Sequence, residues 1–440
     1  MMTKKWQPYP TYKDSGVEWL GAIPEHWKVK KLKNVAFINL DTLNEDIQPD
    51  YLLTYIDIGN VTSDGSILET QEFQFKQAPS RARRKVKNGD TIISTVRTYL
   101  RAISLIKDPP ENLIVSTGFA VLSPRAEIDS RFLFRFVQSS EFVEKVVAHS
   151  EGVGYPAINP SKLACLPIWL PPLPEQQKIA EFLDQETSKI DKLITKKERL
   201  IELLKEKRTA LISHAVTKGL NPDVPMKDSG VEWLGKIPEH WKVKRLKFLT
   251  RQIIDGTHFT PTYAVEGVPF LRVTDIQESV INFEQVKLIP ESEHKELIKR
   301  CNPEKGDLLL SKNGTIGVPR IVDWNHKFSI FVSLCLIKVR KLLSVHYSYY
   351  FFLSHEIKSQ MSYGTKTNTV MNLHLDKIRE FIFTFPPLPE QQKIAQFLDR
   401  ETSKIDNLIT KTRTSIDHLK EYRTALISAA VTGKIDVREH

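Results

Sequence analysis

Two long stretches of the chain place apolar residues on one face of a helix. The spacing predicts a helix over residues 174–217 and a second helix over residues 389–432. Each stretch begins with a proline, continues without further proline or glycine, and is followed within two residues by a glycine. At about 1.5 Å per residue, each helix would be roughly 60 Å long.

The apolar residues of both predicted helices recur at intervals of seven, which is the spacing of a coiled coil. One row in each helix is expected to form the seam: Leu183, Ile190, Leu204 and Leu211 in the first, and Leu398, Ile405, Leu419 and Leu426 in the second. A neighbouring row is expected to widen the stripe: Ile179, Leu193 and Leu200, and in the second helix Ile394, Leu408 and Tyr422. Because an isolated helix must bury such a stripe, we expect the two helices to pair with each other. The alternative is that each helix packs only on its own globular domain.

The chain is a tandem duplication. Two strings recur in the same order 214 or 215 residues further along: 13–33 as 227–247, with two differences, and 171–195 as 386–410, with three. The inserts between them, residues 34–170 and 248–385, have nearly the same length and share very little sequence. One framework therefore presents two different surfaces.

Each insert has the pattern of a mixed α and β domain. The segments follow the same order, three β-rich and then one with helical spacing: 51–61, 91–96, 119–122 and 131–148, and in the second insert 269–276, 306–311, 331–339 and 347–361. The predicted fold class is α+β, with two pseudo-symmetric globular domains separated by two long helices that form an antiparallel coiled coil.

A chain of 440 residues exceeds what one hydrophobic core usually supports. The repeat predicts these parts: a first domain at 1–170, a helical segment at 171–219, a second domain at 220–385, a second helical segment at 386–433, and a tail at 434–440.

Composition and charge narrow the class of protein. The chain is 41% hydrophobic, and no apolar run reaches the length of a membrane span. The three cysteines are too scattered for a disulfide framework and no secretory signal opens the chain, so a cytoplasmic location is expected. The net charge of +10 favours a polyanionic partner.

Motifs for catalysis are incomplete throughout the sequence. Residues 230–236 mimic a phosphate-binding loop, but Ile237 stands where a magnesium-binding Ser or Thr is required. His355 lacks the second histidine of a zinc motif, and the cysteines give no paired metal ligands. His26 and His240 lie beside tryptophans at matched repeat positions, where packing or hydrogen bonding is the better explanation. The chain is predicted to be non-catalytic by itself and to bind no metal.

Together these residues resemble the specificity subunit of a type I restriction-modification system. The resemblance rests on the string DSGVEWLGxIPEHWKVKxLK before each insert, the string PPLPEQQKIAxFLDxETSKID after it, and the closing residues 432–436. It covers essentially the whole chain. In that family two target-recognition domains, held by two long helices, each read one half of a bipartite DNA site, and the first domain reads the 5′ half.

The resemblance also implies partners and cofactors. Two adenine-specific methyltransferase subunits would dock on the helices, and that assembly would recruit ATP-dependent motor-nuclease subunits. S-adenosylmethionine, ATP and Mg²⁺ would then be bound by the partners, with no cofactor on this chain. Double-stranded DNA would be the target, and no membrane is involved.

Polar residues that follow the last shared strand of each insert are the best candidates to contact DNA. The inserts diverge after Ser94 and after Ser311, and donor-rich residues just beyond a strand end suit the reading of bases or phosphates. The DNA-binding residues are predicted to be Arg81, Arg83, Arg84, Arg97, Tyr99 and Arg101 in the first domain, and Lys312, Asn313, Thr315, Lys366 and Asn368 in the second. The residues at 366 and 368 lie in a polar loop whose counterpart, 152–155, has fewer donors. For each of these residues, an ordinary solvated surface is the alternative.

Two other functions remain open from the sequence. The chain could be a fused methyltransferase or nuclease with unrecognised motifs, which its activity in isolation would reveal. It could instead be a scaffold whose inserts bind proteins, which sequence-independent assembly without salt-sensitive DNA binding would reveal.

Overall fold

The computed structural model describes residues 6–19, 21–277, 280–362 and 372–438. The strands in the first half of the chain are β1 (Tyr12–Asp14), β2 (Ala22–Pro24), β3 (Lys28–Lys31), β4 (Ala36–Ile38), β5 (Leu52–Ile56), β6 (Gln71–Gln74), β7 (Ala82–Lys85), β8 (Thr91–Ser94), β9 (Ile103–Leu105), β10 (Leu113–Ser116), β11 (Phe119–Pro124) and β12 (Pro167–Leu170). The helices are α1 (Leu32–Val35), α2 (Ser130–Gln138), α3 (Ser140–Ala148), α4 (Pro160–Cys165) and α5 (Leu173–Lys218), with 3-10 turns at Ile58–Asn60, Phe75–Gln77 and Thr98–Leu100.

The second half repeats this order with small changes. Its strands are β13 (Met226–Asp228), β14 (Lys236–Pro238), β15 (Lys242–Arg245), β16 (Thr250–Asp255), β17 (Val268–Leu271), β18 (Lys287–Ile289), β19 (Leu308–Ser311), β20 (Pro319–Ile321), β21 (Ser329–Ile330), β22 (Leu334–Val339) and β23 (Ile382–Phe385). The helices are α6 (Leu246–Leu249), α7 (Glu291–Arg300), α8 (Val345–Leu353), α9 (His355–Ser362), α10 (Leu375–Arg379) and α11 (Leu388–Val431), with a 3-10 turn at Val273–Ile276.

The two long helices, α5 and α11, have the ends that the sequence predicts to within one residue. Each is followed by a glycine with left-handed backbone, Gly219 (φ 80°) and Gly433 (φ 72°), which ends the helix at little conformational cost. A Cβ at Gly433 would lie 2.5 Å from the Pro24 ring, and a Cβ at Gly219 would lie 3.2 Å from the Trp241 ring. Both glycines therefore also allow close approach of the chain to a repeated Ile-Pro-Glu-His-Trp segment.

The chain forms two compact units that divide within the helices. Unit 1 comprises residues 1–197 and 413–440, and unit 2 comprises residues 198–412. Each unit therefore combines one globular domain with part of α5 and part of α11, and the tail belongs to unit 1.

The helices pair in antiparallel fashion within each unit. In unit 1 the Arg423 guanidinium on α11 binds Asp191 on α5 at 2.9 Å, and Lys178, earlier on α5, reaches the Arg438 carbonyl at 2.9 Å beyond the end of α11. In unit 2 Arg208 binds Asp406 at 3.0 Å. Later residues of α5, at 212–216, share a core cluster with earlier residues of α11, at 394–398. The antiparallel pairing predicted from the heptads is confirmed.

Burial along the helices confirms the main row of the predicted seam and corrects part of the neighbouring row. The eight residues of the main row are buried, except Leu211 and Leu419, which are half-buried. In the neighbouring row Ile179 and Ile394 are buried as predicted and Leu193 is half-buried. Leu200, Leu408 and Tyr422 are 40%, 45% and 47% exposed, so the prediction is wrong for these three residues. The residues buried instead lie on the other side of the main row: Ile194, Ile201, Ile409 and Ile416. Both sides of the row carry apolar side chains, and the position of the partner helix decides which side is covered.

The two globular domains share their sheet topology. Each contains a four-stranded antiparallel sheet, in the order β4-β11-β8-β9 in unit 1 and β16-β22-β19-β20 in unit 2. Each also contains a second sheet with one parallel pair, β5 with β10 and β17 with β21. The inserts have therefore kept one fold although their sequences diverged.

The helix predicted over 131–148 is divided into α2 and α3, and the helix predicted over 347–361 is divided into α8 and α9. The break falls at Ser139 in one insert and at Ser354 in the other. Each serine hydroxyl donates a 2.7 Å hydrogen bond to a carbonyl of the preceding helix, and each accepts a 3.4 Å bond from a backbone N–H of the next helix. A serine that caps both helices stabilises a break that apolar spacing alone does not reveal.

The repeated strings close each insert into a domain. The strand that leaves the insert pairs with the strand that enters it, β12 with β3 and β23 with β15. The first turn of each long helix adds a carboxylate that binds the repeated histidine, because Glu175 lies 2.7 Å from His26 and Glu390 lies 2.8 Å from His240. This geometry confirms the hydrogen-bonding role predicted for the two histidines.

We expect Leu204→Ala in α5 to lower the free energy of unfolding by about 2 kcal/mol or more, because it empties a buried seam position. Leu203, the next residue on the same helix, is 45% exposed whereas Leu204 is 8% exposed. Leu203→Ala is therefore the matched control and should change stability by less than about 0.5 kcal/mol. Urea unfolding followed by circular dichroism measures both, and equal effects would contradict the assigned seam.

Candidate nucleic-acid interface

The segment that follows β8 in unit 1 forms a tight, strained turn. Arg97 (φ 51°) and Arg101 (φ 56°) both have left-handed backbone and flank the 3-10 turn at Thr98–Leu100. Such a conformation costs a non-glycine residue about 1–3 kcal/mol and is concentrated at functional sites. The turn is held in place because the Thr95 hydroxyl donates to the Gly118 carbonyl at 2.9 Å.

A second loop, at residues 151–157, lies directly against this turn. The Arg97 backbone N–H donates to the Pro156 carbonyl at 2.8 Å, and Ala157 bridges to both Val96 and Glu151. The Arg97 guanidinium lies over the ring of Tyr155, 4.3 Å from its centroid. The structure therefore brings a predicted DNA-binding arginine together with a loop that the sequence had marked only as poor in donors.

Residues 95–101 and 151–157 together form a loop pair. Its tip exposes several apolar or aromatic side chains to solvent. Val153 is 105% exposed, Tyr155 is 65% exposed and Tyr99 is 53% exposed. Arg101 is half-buried, and its guanidinium lies 3.4 Å from the Ser140 hydroxyl beside a groove of about 660 Å³. Of the predicted residues, Arg97 and Tyr99 therefore lie in the exposed loop pair, whereas Arg101 lines the groove.

The predicted basic run lies on an edge strand close to the same turn. Arg83 and Arg84 lie on β7, the last strand in the order β6-β5-β10-β7, and Arg81 directly precedes it. The Arg81 carbonyl accepts a 2.8 Å bond from the Thr117 N–H, and the next residue along, Gly118, anchors the segment after β8. One turn therefore connects the basic run to the loop pair.

The three arginines of the run differ in exposure and in the contacts of their side chains. Arg81 is exposed. The Arg83 guanidinium lies 4.8 Å over the Phe75 ring, and that of Arg84 lies 3.3 Å from the Thr42 hydroxyl. Burial lowers the pKa of Arg84 from its ordinary value, although an arginine so far above neutrality stays charged. All three arginines can therefore supply positive charge.

Lys312 in unit 2 is buried rather than exposed. Its side chain is 6% exposed, and its ammonium lies 3.2 Å from the carboxylate of Asp255, which is also buried. Arg300 and His258 bind the same carboxylate at 2.7 Å and 3.2 Å. Burial alone would raise the pKa of Asp255, but the hydrogen bonds from Arg300, His258 and Lys312 outweigh it, and the pKa is lowered. The charge of Lys312 is thus satisfied inside the domain, and the expectation that it lies at a DNA-facing surface does not match its position.

Asn313 and Thr315 follow β19 at positions equivalent to the first loop of the pair in unit 1. Asn313 is half-buried and bridges to Asn372, as Val96 bridges to Ala157 in unit 1. Thr315 is exposed. Lys366 and Asn368 lie outside the described residues.

Within the described parts of the chain, no group of three His, Cys, Asp or Glu side chains is placed to hold a metal ion. Burial raises the pKa of the Cys301 thiol to about 12 and also raises the pKa of the Cys335 thiol, so neither is a ready nucleophile. No described helix is both long and apolar enough to cross a bilayer. The arrangement at the loop pair suits binding by charge, stacking and hydrogen bonding.

These features define a class of protein: a tandem pair of α+β domains, each carried by paired helices and each with a divergent loop cluster beyond its antiparallel sheet. A family model described as the type I restriction modification DNA specificity domain matches residues 24–203 and again residues 238–418. The chain therefore belongs to the family of type I restriction-modification specificity subunits and carries two DNA-recognition domains.

Individual relatives agree over most of the length. The putative MjaX specificity subunit of Methanocaldococcus jannaschii is 26% identical, covering 95% of this chain and 96% of its own. The EcoKI specificity subunit of Escherichia coli is 24% identical, covering 72% of this chain and 68% of its own.

Solved structures show the same fold. A chain in a structure of a type I restriction-modification system matches with a TM-score of 0.75 at 21% identity, covering 93% of this chain and 98% of that chain. The HsdS subunit of Thermoanaerobacter tengcongensis matches with a TM-score of 0.54 at 22% identity, covering 94% and 98%.

The position of Lys312 gives a test that separates a structural role from DNA contact. Lys312→Met should lower the free energy of unfolding by about 1–3 kcal/mol, because Asp255 loses one of its buried partners. Lys305→Met, at an exposed position in the same domain, is the control and should leave stability nearly unchanged. Thermal or urea unfolding at neutral pH measures both variants.

The effect of Lys312→Met should also depend on pH. The lowered pKa of Asp255 stabilises the fold above the ordinary value of 3.8, and this stabilisation is lost as the pH falls towards the folded-state value. The difference between the variant and the wild-type protein should therefore shrink in acid. A difference that stays constant, or a variant that is as stable as the wild type, would refute the structural role.

Proposed function

We propose that this chain reads a bipartite, asymmetric DNA target, with one half-site recognised by each globular domain, and directs adenine methylation and restriction at it. The observation that carries the proposal is the divergence of the two inserts around one shared fold. The antiparallel sheets match strand for strand, yet the loop pair at 95–101 and 151–157 has no sequence counterpart around residue 313. Two different loop surfaces on one framework suit two different half-sites.

Within each domain we assign phosphate binding and base reading to different residues. Exposed or stacked arginines at an edge strand, such as Arg81 and Arg83, suit phosphates because they offer charge without a fixed approach to the bases. The loop pair with Arg97 and Tyr99 suits base reading, because its backbone is fixed while Tyr99 is exposed and Arg97 is only half-buried. In the second domain we assign the same role to Asn313 and Thr315, and to Lys366 and Asn368 beyond the described residues. Lys312 is left out because its charge is paired internally.

The paired helices are proposed to set the distance between the half-sites and to dock two methyltransferase subunits. The support is the near identity of the repeated strings, of which several helical positions are exposed in both copies: Gln177, Ser188 and Lys189 on α5 correspond to Gln392, Ser403 and Lys404 on α11. After a duplication, exposed positions usually diverge in sequence before buried ones. Their identity in both repeats therefore suits one kind of partner that binds twice. Motor-nuclease subunits would join through the methyltransferase subunits.

The chemistry would then belong to the partners. S-adenosylmethionine, ATP and Mg²⁺ are assigned to those subunits and none to this chain, which contributes binding free energy and selects the adenine to be presented. The assembly would act on cytoplasmic DNA.

Exchange of one insert tests the division of labour. Residues 34–170 are replaced by the corresponding insert of another family member, and methylated adenines are mapped genome-wide in a host that also expresses the partner methyltransferase. We expect one half-site of the motif to change while the other half-site and the spacing stay the same, because the second domain and both helices are retained. The reciprocal exchange of residues 248–385 is the control and should change the opposite half-site. An unchanged motif in both exchanges would refute the proposal.

A further inference from the structure

We infer that Arg97 reads a guanine in the major groove and that Tyr155 positions it. This inference rests on the proposed function and names a contact within the first half-site. The main observation behind it is the stacked pair in unit 1, in which the Arg97 guanidinium lies 4.3 Å over the exposed ring of Tyr155.

The backbone of Arg97 is held more firmly than a charge-only contact requires. Its φ of 51° is maintained by the bond from its own N–H to the Pro156 carbonyl at 2.8 Å, and Val96 before it bridges to Ala157. A phosphate contact tolerates a mobile side chain because it needs only positive charge nearby. A fixed backbone position is an advantage when the side chain must form hydrogen bonds with the edge of one particular base.

The protein orients the side chain of Arg97 but leaves its N–H donors without a hydrogen-bond partner among the described residues. The Tyr155 ring covers one face of the guanidinium, and among the described residues Arg97 has no side-chain hydrogen bond or carboxylate partner. The planar edge with its paired N–H donors therefore remains available. That edge matches the O6 and N7 acceptors of guanine in the major groove, which is the commonest specific contact of arginine with DNA.

The surroundings suit a groove rather than open solvent. Val153 at 105% exposure and Tyr99 at 53% exposure stand beside the stacked pair, and glycines flank Val153 on both sides. Apolar groups at such a tip are only partly covered, or not covered, by the described part of the domain, whereas the major groove offers thymine methyl groups and base edges. The same exposed patch could face a protein subunit, and the experiment below separates the two outcomes.

A second arginine in unit 1 provides a matched control. The Arg125 guanidinium lies 3.9 Å over the ring of Phe37, which is 40% exposed, so this pair has the same chemistry. Its backbone lies outside the left-handed region and outside the divergent loop pair. Arg125→Ala should therefore leave the recognised sequence unchanged.

The experiment uses the full chain with its methyltransferase partner and maps methylated adenines genome-wide for the wild type, Arg97→Ala, Arg97→Lys, Tyr155→Phe, Tyr155→Ala and the control Arg125→Ala. The wild-type motif should contain a guanine in the half-site of the first domain. Arg97→Ala should make that one position degenerate, with a loss of discrimination of about ten- to a hundredfold, while the second half-site is retained as proof of folding.

Arg97→Lys should keep binding but relax the same position, because lysine lacks the two-pronged edge. Tyr155→Phe should behave as wild type, and Tyr155→Ala should relax the position that Arg97→Ala relaxes.

Several results would overturn the inference. A uniform fall in methylation with an intact motif would make Arg97 a phosphate contact, and loss of the methyltransferase from the complex in size-exclusion chromatography would make it a protein contact. A first half-site without guanine, or different positions relaxed by Arg97→Ala and Tyr155→Ala, would also contradict it. A wild-type motif that is not bipartite would instead refute the proposed function, so the two failures are distinguishable.

Discussion

The burial of the apolar face shared by α5 and α11 is the constraint on which the rest of the structure depends. Neither helix can leave a stripe of this length in water, and within each unit the stripe of one helix is covered by the opposite end of the other. Antiparallel pairing has a direct consequence for the chain. Each domain is completed by residues from both helices, so the tail after Gly433 packs against the first domain although some 400 residues of sequence separate it from Trp27.

The closure of each insert follows from the same framework. The exit strands β12 and β23 pair with the entry strands β3 and β15, and a carboxylate in the first turn of each long helix binds the repeated histidine. These contacts lie in the repeated strings, where a change in one partner would lose a hydrogen bond or a strand pair. The inserts are free of that constraint at their loops, and this freedom explains how two different loop surfaces can be carried by one fold.

The loop pair in unit 1 shows how rigidity and exposure are combined at the site. Arg97 and Arg101 hold unfavourable backbone angles that the surrounding bonds enforce, while Val153 and Tyr155 remain open to solvent. In unit 2 the first position after the matching strand carries Lys312, whose charge neutralises the buried Asp255. Its counterpart in unit 1 is Thr95, which is also buried, so this position is internal in both domains although one carries a charge and the other a hydroxyl.

The sequence by itself determined the duplication, the ends of the long helices, the main row of the seam and the shared order of strands, because each of these depends on local spacing or on identity between the repeats. The tertiary structure alone decided the remaining features. Leu200 and Ile201 are equally apolar neighbours, and only the partner helix selects Ile201 for burial. Lys312 is a polar residue after a strand in the sequence, and only the position of Asp255, on a strand far away along the chain, makes it internal. The stacking of Arg97 on Tyr155 likewise joins two loops that are distant in sequence, and no local pattern encodes a contact that arises when the fold brings its two sides together.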